Sequence, residues 1–210
     1  WEKYLGDKTS TITENYLSAK YPTAHSEEMM LINGSICPTP SLVEEIKNLK
    51  VGQALASGNN VIAMYKTKEQ FLSDEDSTQE VSFEGEFIKI TNPWDIFALN
   101  DKALREDFKL LTQGRQSAAL SDTTRVLGKE NIFVEEGAEV EFAVLNAKEG
   151  PIYIGKDAQI MEGSVVRGPF AMCEHSVLKM ASKIYGATTL GPYVKVGGEV
   201  SNVVIFGYSN

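Results

Sequence analysis

The chain has 210 residues, 42% of them hydrophobic, 9% aromatic and 23% charged. This balance excludes disordered, collagenous and coiled-coil classes and leaves one large globular domain or two modest ones. Twenty lysines and arginines against 29 acids give a net charge of −9; with no basic stripe to neutralise a nucleic-acid backbone or an anionic membrane, nucleic acid is not an expected partner. The longest apolar runs, such as Val61–Tyr65 and Val203–Phe206, fall far short of the roughly 20 residues that span a bilayer, and no signal-peptide pattern opens the chain, so no membrane segment is expected.

The first 90 residues alternate helical and strand patterns, as an α/β layer does. Met29-Met-Leu-Ile32 is a short apolar run ending at the turn signal Asn33-Gly34 and fits a buried strand. A helix follows, with Thr39 as N-cap, Pro40 in the first turn, Leu42, Ile46 and Leu49 on one face and Gly52 as the stop. Gly58-Asn59-Asn60 turns into a second strand, Val61–Tyr65, and Ser73–Ser77 forms an acidic, solvated loop. Val81–Ile90 is strand-like around Gly85, and Asn92-Pro-Trp-Asp95 starts a second helix with an asparagine cap and a buried stripe of Leu104, Phe108 and Leu111. Residues 112–130 carry no strong period, although Ala118-Ala-Leu120 suits a short helical turn, and the domain boundary is expected there. Two cysteines, Cys37 and Cys173, are too few for a disulfide framework or a zinc site, and a reducing cytoplasm is the simplest compartment. The chain opens at Trp1 without a methionine and stops inside a repeat, so it reads as a fragment lacking the start of its first domain and the end of its second.

From Ile154 the sequence runs in sixes: IGKDAQ, IMEGSV, VRGPFA, MCEHSV, LKMASK, IYGATT, LGPYVK, VGGEVS. The first positions are Ile154, Ile160, Val166, Met172, Leu178, Ile184, Leu190 and Val196, in an unbroken register through Val200. With Leu, Ile, Val and Met at about a quarter of average usage, eight matches in phase arise by chance on the order of 10⁻⁵. A period of six is neither 3.6 nor 2, and it belongs to hexapeptide β-helix repeats, in which each hexad is a short strand plus a corner. The first residue points into the coil, the fifth is small or β-branched, and glycines such as Gly163, Gly186 and Gly198 serve the turns. Two earlier hexads, from Val134 and Val140, fit the template, and a loop bulges out at Asn146–Pro151.

This pattern resembles the left-handed parallel β-helix of hexapeptide-repeat acyltransferases, which assemble as trimers, over about residues 131–210. Ile90-Thr-Asn-Pro-Trp-Asp-Ile-Phe-Ala-Leu-Asn100 looks like the closing segment of a sugar-phosphate nucleotidylyltransferase domain, so the whole resembles the bifunctional GlmU-like family. The resemblance implies an incomplete Rossmann-like α/β nucleotidyltransferase domain at 1–112, a linker at 113–130 and an all-β left-handed parallel β-helix at 131–210. It further implies a cytoplasmic homotrimeric transferase of sugar-nucleotide biosynthesis. Nucleotidyl transfer to a sugar 1-phosphate would use a nucleoside triphosphate and Mg²⁺, and acetyl transfer to an amino-sugar phosphate would use acetyl-CoA as substrate, with no cofactor required by this stretch itself.

The site residues depart from the family in several places. No glycine-rich triphosphate loop precedes Gly34, and Leu31-Ile-Asn-Gly-Ser35 places Ser35 where the family carries the metal-binding aspartate, so no metal ligands are expected. Of the two histidines, His25 lies in a polar loop; His175, fourth in its hexad and outward, is the candidate base present, although the resemblance places the catalytic histidine in a Gly-His coil beyond Asn210. Arg167, in Val-Arg-Gly-Pro-Phe-Ala, matches an "R-P-x-A" corner whose arginine binds the sugar phosphate, with Gly168 inserted. Glu199 and Asn202 match an "E-I-K-N" stretch in which Ser201 replaces the lysine, and Tyr193 and Lys195 are outward candidates for the same pocket. The rival expectation is a non-catalytic trimeric scaffold or sugar-phosphate-binding protein that keeps the fold without either site.

Overall fold

The computed structural model describes residues 1–73 and 78–210; most of the acidic loop expected at Ser73–Ser77 lies outside the described residues. The chain divides into two compact units, Trp1–Thr91 and Asn92–Asn210.

In the first unit the elements are α1 (Glu2–Leu5), β1 (Glu28–Ile32), β2 (Ile36–Cys37), α2 (Pro40–Asn48), β3 (Gln53–Ser57), β4 (Asn60–Thr67), α3 (Lys68–Leu72), β5 (Gln79–Ser82) and β6 (Ile88–Lys89). Four strands form a sheet in the order β1-β4-β3-β5, and β2 pairs with β6. The Thr39 hydroxyl caps α2 by accepting the Leu42 N–H at 3.3 Å, with Pro40 supplying the helical φ of the first turn. Leu42, Ile46 and Leu49 are buried against Leu55, Ile62 and Phe83. Gly52 does not stop this helix. Leu49 already leaves it at ψ 142°, and Gly52, at φ +84°, makes the turn into β3. That strand, Gln-Ala-Leu-Ala-Ser, lacks the branched side chains that mark strands in a sequence. It hairpins with β4. The expected strand Val81–Ile90 is two strands, β5 and β6, with a break around Gly85.

The second unit contains α4 (Asp95–Ala98), α5 (Asn100–Thr112) and a parallel β-solenoid: β7 (Arg125–Leu127), β8 (Ile132–Val134), β9 (Glu139–Val140), β10 (Val144–Asn146), β11 (Ile152–Ile154), β12 (Gln159–Ile160), β13 (Val165–Arg167), β14 (Phe170–Met172), β15 (Val177–Leu178), β16 (Lys183–Tyr185), β17 (Thr188–Leu190), β18 (Lys195–Val196), β19 (Glu199–Ser201) and β20 (Val204–Ile205). Each of the first four coils gives one strand to each of three sheets, and the last gives β19 and β20 to the first two. The first sheet holds β7, β10, β13, β16 and β19, the second β8, β11, β14, β17 and β20, and the third β9, β12, β15 and β18. The solenoid thus begins at Arg125, inside the stretch expected as a linker.

The first positions of the hexads face inward: Ile154, Ile160, Val166, Met172, Leu178, Ile184 and Leu190 are all buried. The register nevertheless slips at both ends of the regular run. Val200 pairs with Ile184 in the first sheet, so it holds a first position of the next coil, two residues early, and not the fifth position of its own hexad. The hexad from Val140 is one residue short, because Ala143 and Leu145 point inward and Leu145 pairs with Val166. The chain recovers in the expected loop, where three extra residues separate Leu145 from Ile154 relative to the Val166–Met172 interval. The fifth position is small at two corners, with Ser164 and Ser182 at one and Ala158 and Ser176 at another, but the corner before the second sheet buries Ile132, Ile152 and Phe170.

The buried serine hydroxyls bond backbone carbonyls, Ser176 to Cys173 at 2.5 Å and Ser182 to Lys179 at 2.5 Å. Thr188 differs: fully buried, its Oγ1 has no hydrogen-bond partner among the described residues. Thr188→Val removes an orphaned hydroxyl at nearly constant shape and is expected to stabilise the solenoid by about 1 kcal/mol. A fall in thermal midpoint would show that the hydroxyl has a partner.

Helix α5 lies on the second sheet at β17. Asn100 Nδ2 donates to the Ala187 carbonyl at 3.0 Å, and Thr189 Oγ1 donates to Asn100 Oδ1 at 2.9 Å. Asn92 does not cap through its side chain; its N–H donates to the Asp95 carboxylate at 2.8 Å. Residues 115–120 are not helical. They run extended along the first coil, with the Ala118 N–H on the Val134 carbonyl at 2.8 Å and Leu120 packed against the solenoid core. Leu120 alone of the Ala-Ala-Leu sequence covers the solenoid core; Ala118 and Ala119 are exposed.

Candidate functional site

In the first unit the Asn33-Gly-Ser35 turn joins β1 to β2. Asn33 Oδ1 accepts both the Ser35 N–H at 3.0 Å and the Ser35 hydroxyl at 2.7 Å, while Asn33 Nδ2 donates to the Val61 carbonyl at 3.1 Å. A divalent cation of the Mg²⁺ type needs hard oxygens that include a carboxylate. Ser35, where the resemblance expects a carboxylate, is neutral, and it closes the turn on itself. The donor set does not fit the ion, and among the described residues no group of three or more His, Cys, Asp or Glu could hold a metal. A shallow groove of about 290 Å³ runs beside the turn, lined by Leu31, Ile32, Val61 and Met64 among others. His25 is exposed, 5.9 Å from the Phe71 ring.

On the solenoid, Arg167 ends β13 with about half its side chain exposed and Glu149 at 3.6 Å. The inserted Gly168 has a steric cause: a Cβ there would lie 2.1 Å from the Gly150 carbonyl oxygen of the preceding coil. An exposed guanidinium at a strand end can grip an anion through two charge-assisted hydrogen bonds. Glu199 lies on the same sheet, accepting from Tyr185 Oη at 2.8 Å with Lys183 Nζ at 3.9 Å. The Glu199 carboxylate in turn raises the tyrosine pKa, since it accepts from the protonated phenol.

The other candidates stand elsewhere. Lys195 is exposed on β18 of the third sheet. Tyr193 and His175 belong to a column at the corner between the second and third sheets, where Asp157, His175, Tyr193 and Tyr208 all adopt positive φ, between 53° and 63°. Their rings stack, His175 on Tyr193 at 4.7 Å and Tyr193 on Tyr208 at 5.1 Å, and Asp157 Oδ2 is 3.9 Å from His175 Nε2. Stacking opposes the cost of placing bulky residues in the left-handed region. Asn202 sits at the corner between the first and second sheets at φ +52°, its amide covering the backbone of Gly186. Arg167 and Glu199 thus share the first sheet, while Lys195, Tyr193 and Asn202 occupy three other places around the coil.

Sequence reasoning missed a polar cluster on the second sheet. Arg115 makes a two-point ion pair with Glu135 at 2.8 and 2.6 Å and lies 4.9 Å over the Phe133 ring, which stacks on Tyr153 at 5.9 Å. Tyr153 Oη donates to the same carboxylate at 2.5 Å, and burial, followed by that carboxylate, pushes the phenol pKa up. The signal was the alignment of Phe133 under Tyr153 once coil length is known; Arg115, in an aperiodic segment, gave none. At the start of the solenoid, Thr123 Oγ1 (2.5 Å) and then Ser121 Oγ (2.8 Å) donate to Glu141 and lower its pKa.

Neither Cys37 nor Cys173 forms a disulfide among the described residues. Among the described residues no helix is long and apolar enough to cross a membrane. No curated protein matches the chain. The family described as sugar nucleotidyl transferase does match, over residues 1–116, a stretch that includes the Asn33-Gly-Ser35 turn, the α/β sheet and the whole of α5. That stretch is more than half of the 210 residues, and the chain belongs to the sugar nucleotidyl transferase family.

Proposed function

We propose that the protein is a cytoplasmic transferase of sugar-nucleotide biosynthesis of the GlmU-like kind. In this reading residues 1–112 form its nucleotidyltransferase part, and a left-handed, homotrimeric β-helix binds an amino-sugar phosphate for acetylation from acetyl-CoA. The observation that carries the reading is the direct continuation of the sugar nucleotidyl transferase match through α5 onto a parallel solenoid built of sixes. Arg167 binds the phosphate. Tyr193, Lys195, Glu199 and Asn202, spread around one coil, complete the pocket only with residues from a neighbouring subunit, and His175 is the base candidate within these residues.

A second reading, a sugar-phosphate-binding scaffold without catalysis, is favoured by Ser35, whose hydroxyl brings no charge for a metal and is already bonded to Asn33. One experiment separates the two. Titration calorimetry with amino-sugar phosphates is expected to show binding that Arg167→Ala weakens by about 1.5 to 3 kcal/mol, the range for hydrogen bonds to a charged group. Stability should hardly change, since the side chain is half exposed. Binding without acetyl transfer from acetyl-CoA supports the scaffold; unchanged affinity in the variant removes Arg167 from the site.

A further inference from the structure

The corner between the first and second sheets differs from coil to coil. After β13 it is Gly168-Pro169 and after β16 it is Gly186-Ala187, but after β10 it is residues 147–151, and the added length carries Lys148 and Glu149 outward. Both are exposed, yet the backbone beneath them is fixed. The Lys148 N–H donates to Asn146 Oδ1 at 3.1 Å. From α5, Arg105 Nη2 donates to the Glu149 carbonyl at 2.8 Å, while its Nε is held by the Asp101 carboxylate at 3.1 Å. On the far side Gly150 stands so close to the next coil that a Cβ there would lie 2.7 Å from the Pro169 nitrogen. A loop tied on both sides holds its outward side chain at a set height over the sheet.

What the loop presents is a carboxylate beside Arg167. Glu149 Oε1 is 3.6 Å from Arg167 Nη1, with 69% of the glutamate and 53% of the arginine side chain exposed. That separation makes an ion pair but exceeds a hydrogen bond, so the guanidinium donors stay available to a ligand. An exposed pair of this kind adds little to stability, and its two charges act mainly on what approaches them. The effect depends on how the ligand distributes its own charge. A bare phosphate is attracted by Arg167 and repelled by Glu149, against a net charge of −9 that already opposes it. A phosphate with a protonated amine on the neighbouring carbon finds opposite charge for both of its groups, and the same glutamate then favours binding.

We propose that Glu149 is a specificity-determining residue of the Arg167 site: its carboxylate accepts the ammonium of an amino-sugar phosphate and disfavours phosphates that carry a hydroxyl in that place. The inference rests on Arg167 as the phosphate ligand and adds the residue that discriminates between phosphates.

Titration calorimetry of the whole protein near neutral pH tests it, with glucosamine 1-phosphate, glucose 1-phosphate and inorganic phosphate as probes. The unmodified protein is expected to bind the amino sugar about tenfold more tightly than glucose 1-phosphate. Glu149→Gln keeps the shape and removes the charge; it is expected to weaken the amino sugar about threefold and to tighten the other two about threefold, which abolishes the preference. Glu149→Asp keeps the charge and is expected to keep the preference. If Arg167→Ala weakens binding but Glu149→Gln leaves the ratio unchanged, or moves all three probes in one direction, the discrimination by Glu149 is overturned and Arg167 stands. Affinities that Arg167→Ala leaves unchanged, or no binding of any probe at millimolar concentration, overturn both. An altered circular dichroism spectrum in Glu149→Gln would make the carboxylate part of the fold and overturns the proposal as well.

Discussion

Replacing Leu178 with alanine is expected to destabilise the solenoid by about 2 to 5 kcal/mol. Leu178 is fully buried and stands in the inward column of the third sheet, paired with Ile160 below and Val196 above. The coils are spaced by strand hydrogen bonds, and the corners on either side are tied by further backbone bonds, His175 N–H to Lys156 carbonyl at 2.9 Å and Ala181 N–H to Glu162 carbonyl at 3.0 Å. A cavity at this height cannot close by letting one strand sink inward without breaking those ladders, so relaxation is limited and the cost falls toward the upper part of the range. Chemical denaturation followed by circular dichroism measures it. A loss below about 1 kcal/mol would mean that the coil collapses around the missing side chain, in conflict with a rigid rung.

The repeat announced this column because every coil imposes the same requirement at the same phase, and eight independent positions answer it. Features set by one coil alone were less legible. The slip at Val200 depends on a corner two residues shorter than its neighbours, and glycine-rich VGGE carries no periodic signal that distinguishes a short corner from a regular one. Phe170 broke the rule for small fifth positions because it stacks on Ile152 and Ile132 in a column that narrows again only at Thr188, a sequence of sizes that appears only when the coils are stacked. In the first unit, α2 was legible from its cap and its apolar stripe, whereas β3 was not, since its alanines and serine owe their place to pairing with β4. The site candidates followed the same logic. Arg167 and His175 were correctly placed as outward, because phase within the hexad fixes direction. Their distribution over different faces required knowing which hexads share a sheet, and the Arg115–Glu135 pair joins an aperiodic segment to a strand.

The segment beginning at Ile90 illustrates a motif whose last residue acquires a physical role from the structure. Asn100 is 8% exposed, and its amide serves both sides: Nδ2 satisfies the Ala187 carbonyl, and Oδ1 accepts the Thr189 hydroxyl, at 3.0 and 2.9 Å. An amide offers a donor and an acceptor on two separate atoms of one short side chain, which is what the Ala187 carbonyl and the Thr189 hydroxyl at β17 demand. Asn100→Ala is expected to cost about 2 to 4 kcal/mol, because it deletes two hydrogen bonds and leaves the buried Ala187 carbonyl and the half-buried Thr189 hydroxyl unsatisfied. Asn100→Asp is expected to be at least as damaging, since it keeps an acceptor for Thr189 but turns a carboxylate oxygen toward the Ala187 carbonyl. The loss should be local to the helix and its seat. Hydrogen exchange is therefore the measurement of choice: in both variants the amides of α5 should lose protection while those of the early coils, such as Val144 and Val165, retain it. Equal protection of α5 in the variants and the parent would show that Leu104, buried on the same helix, holds α5 on the sheet without help from Asn100.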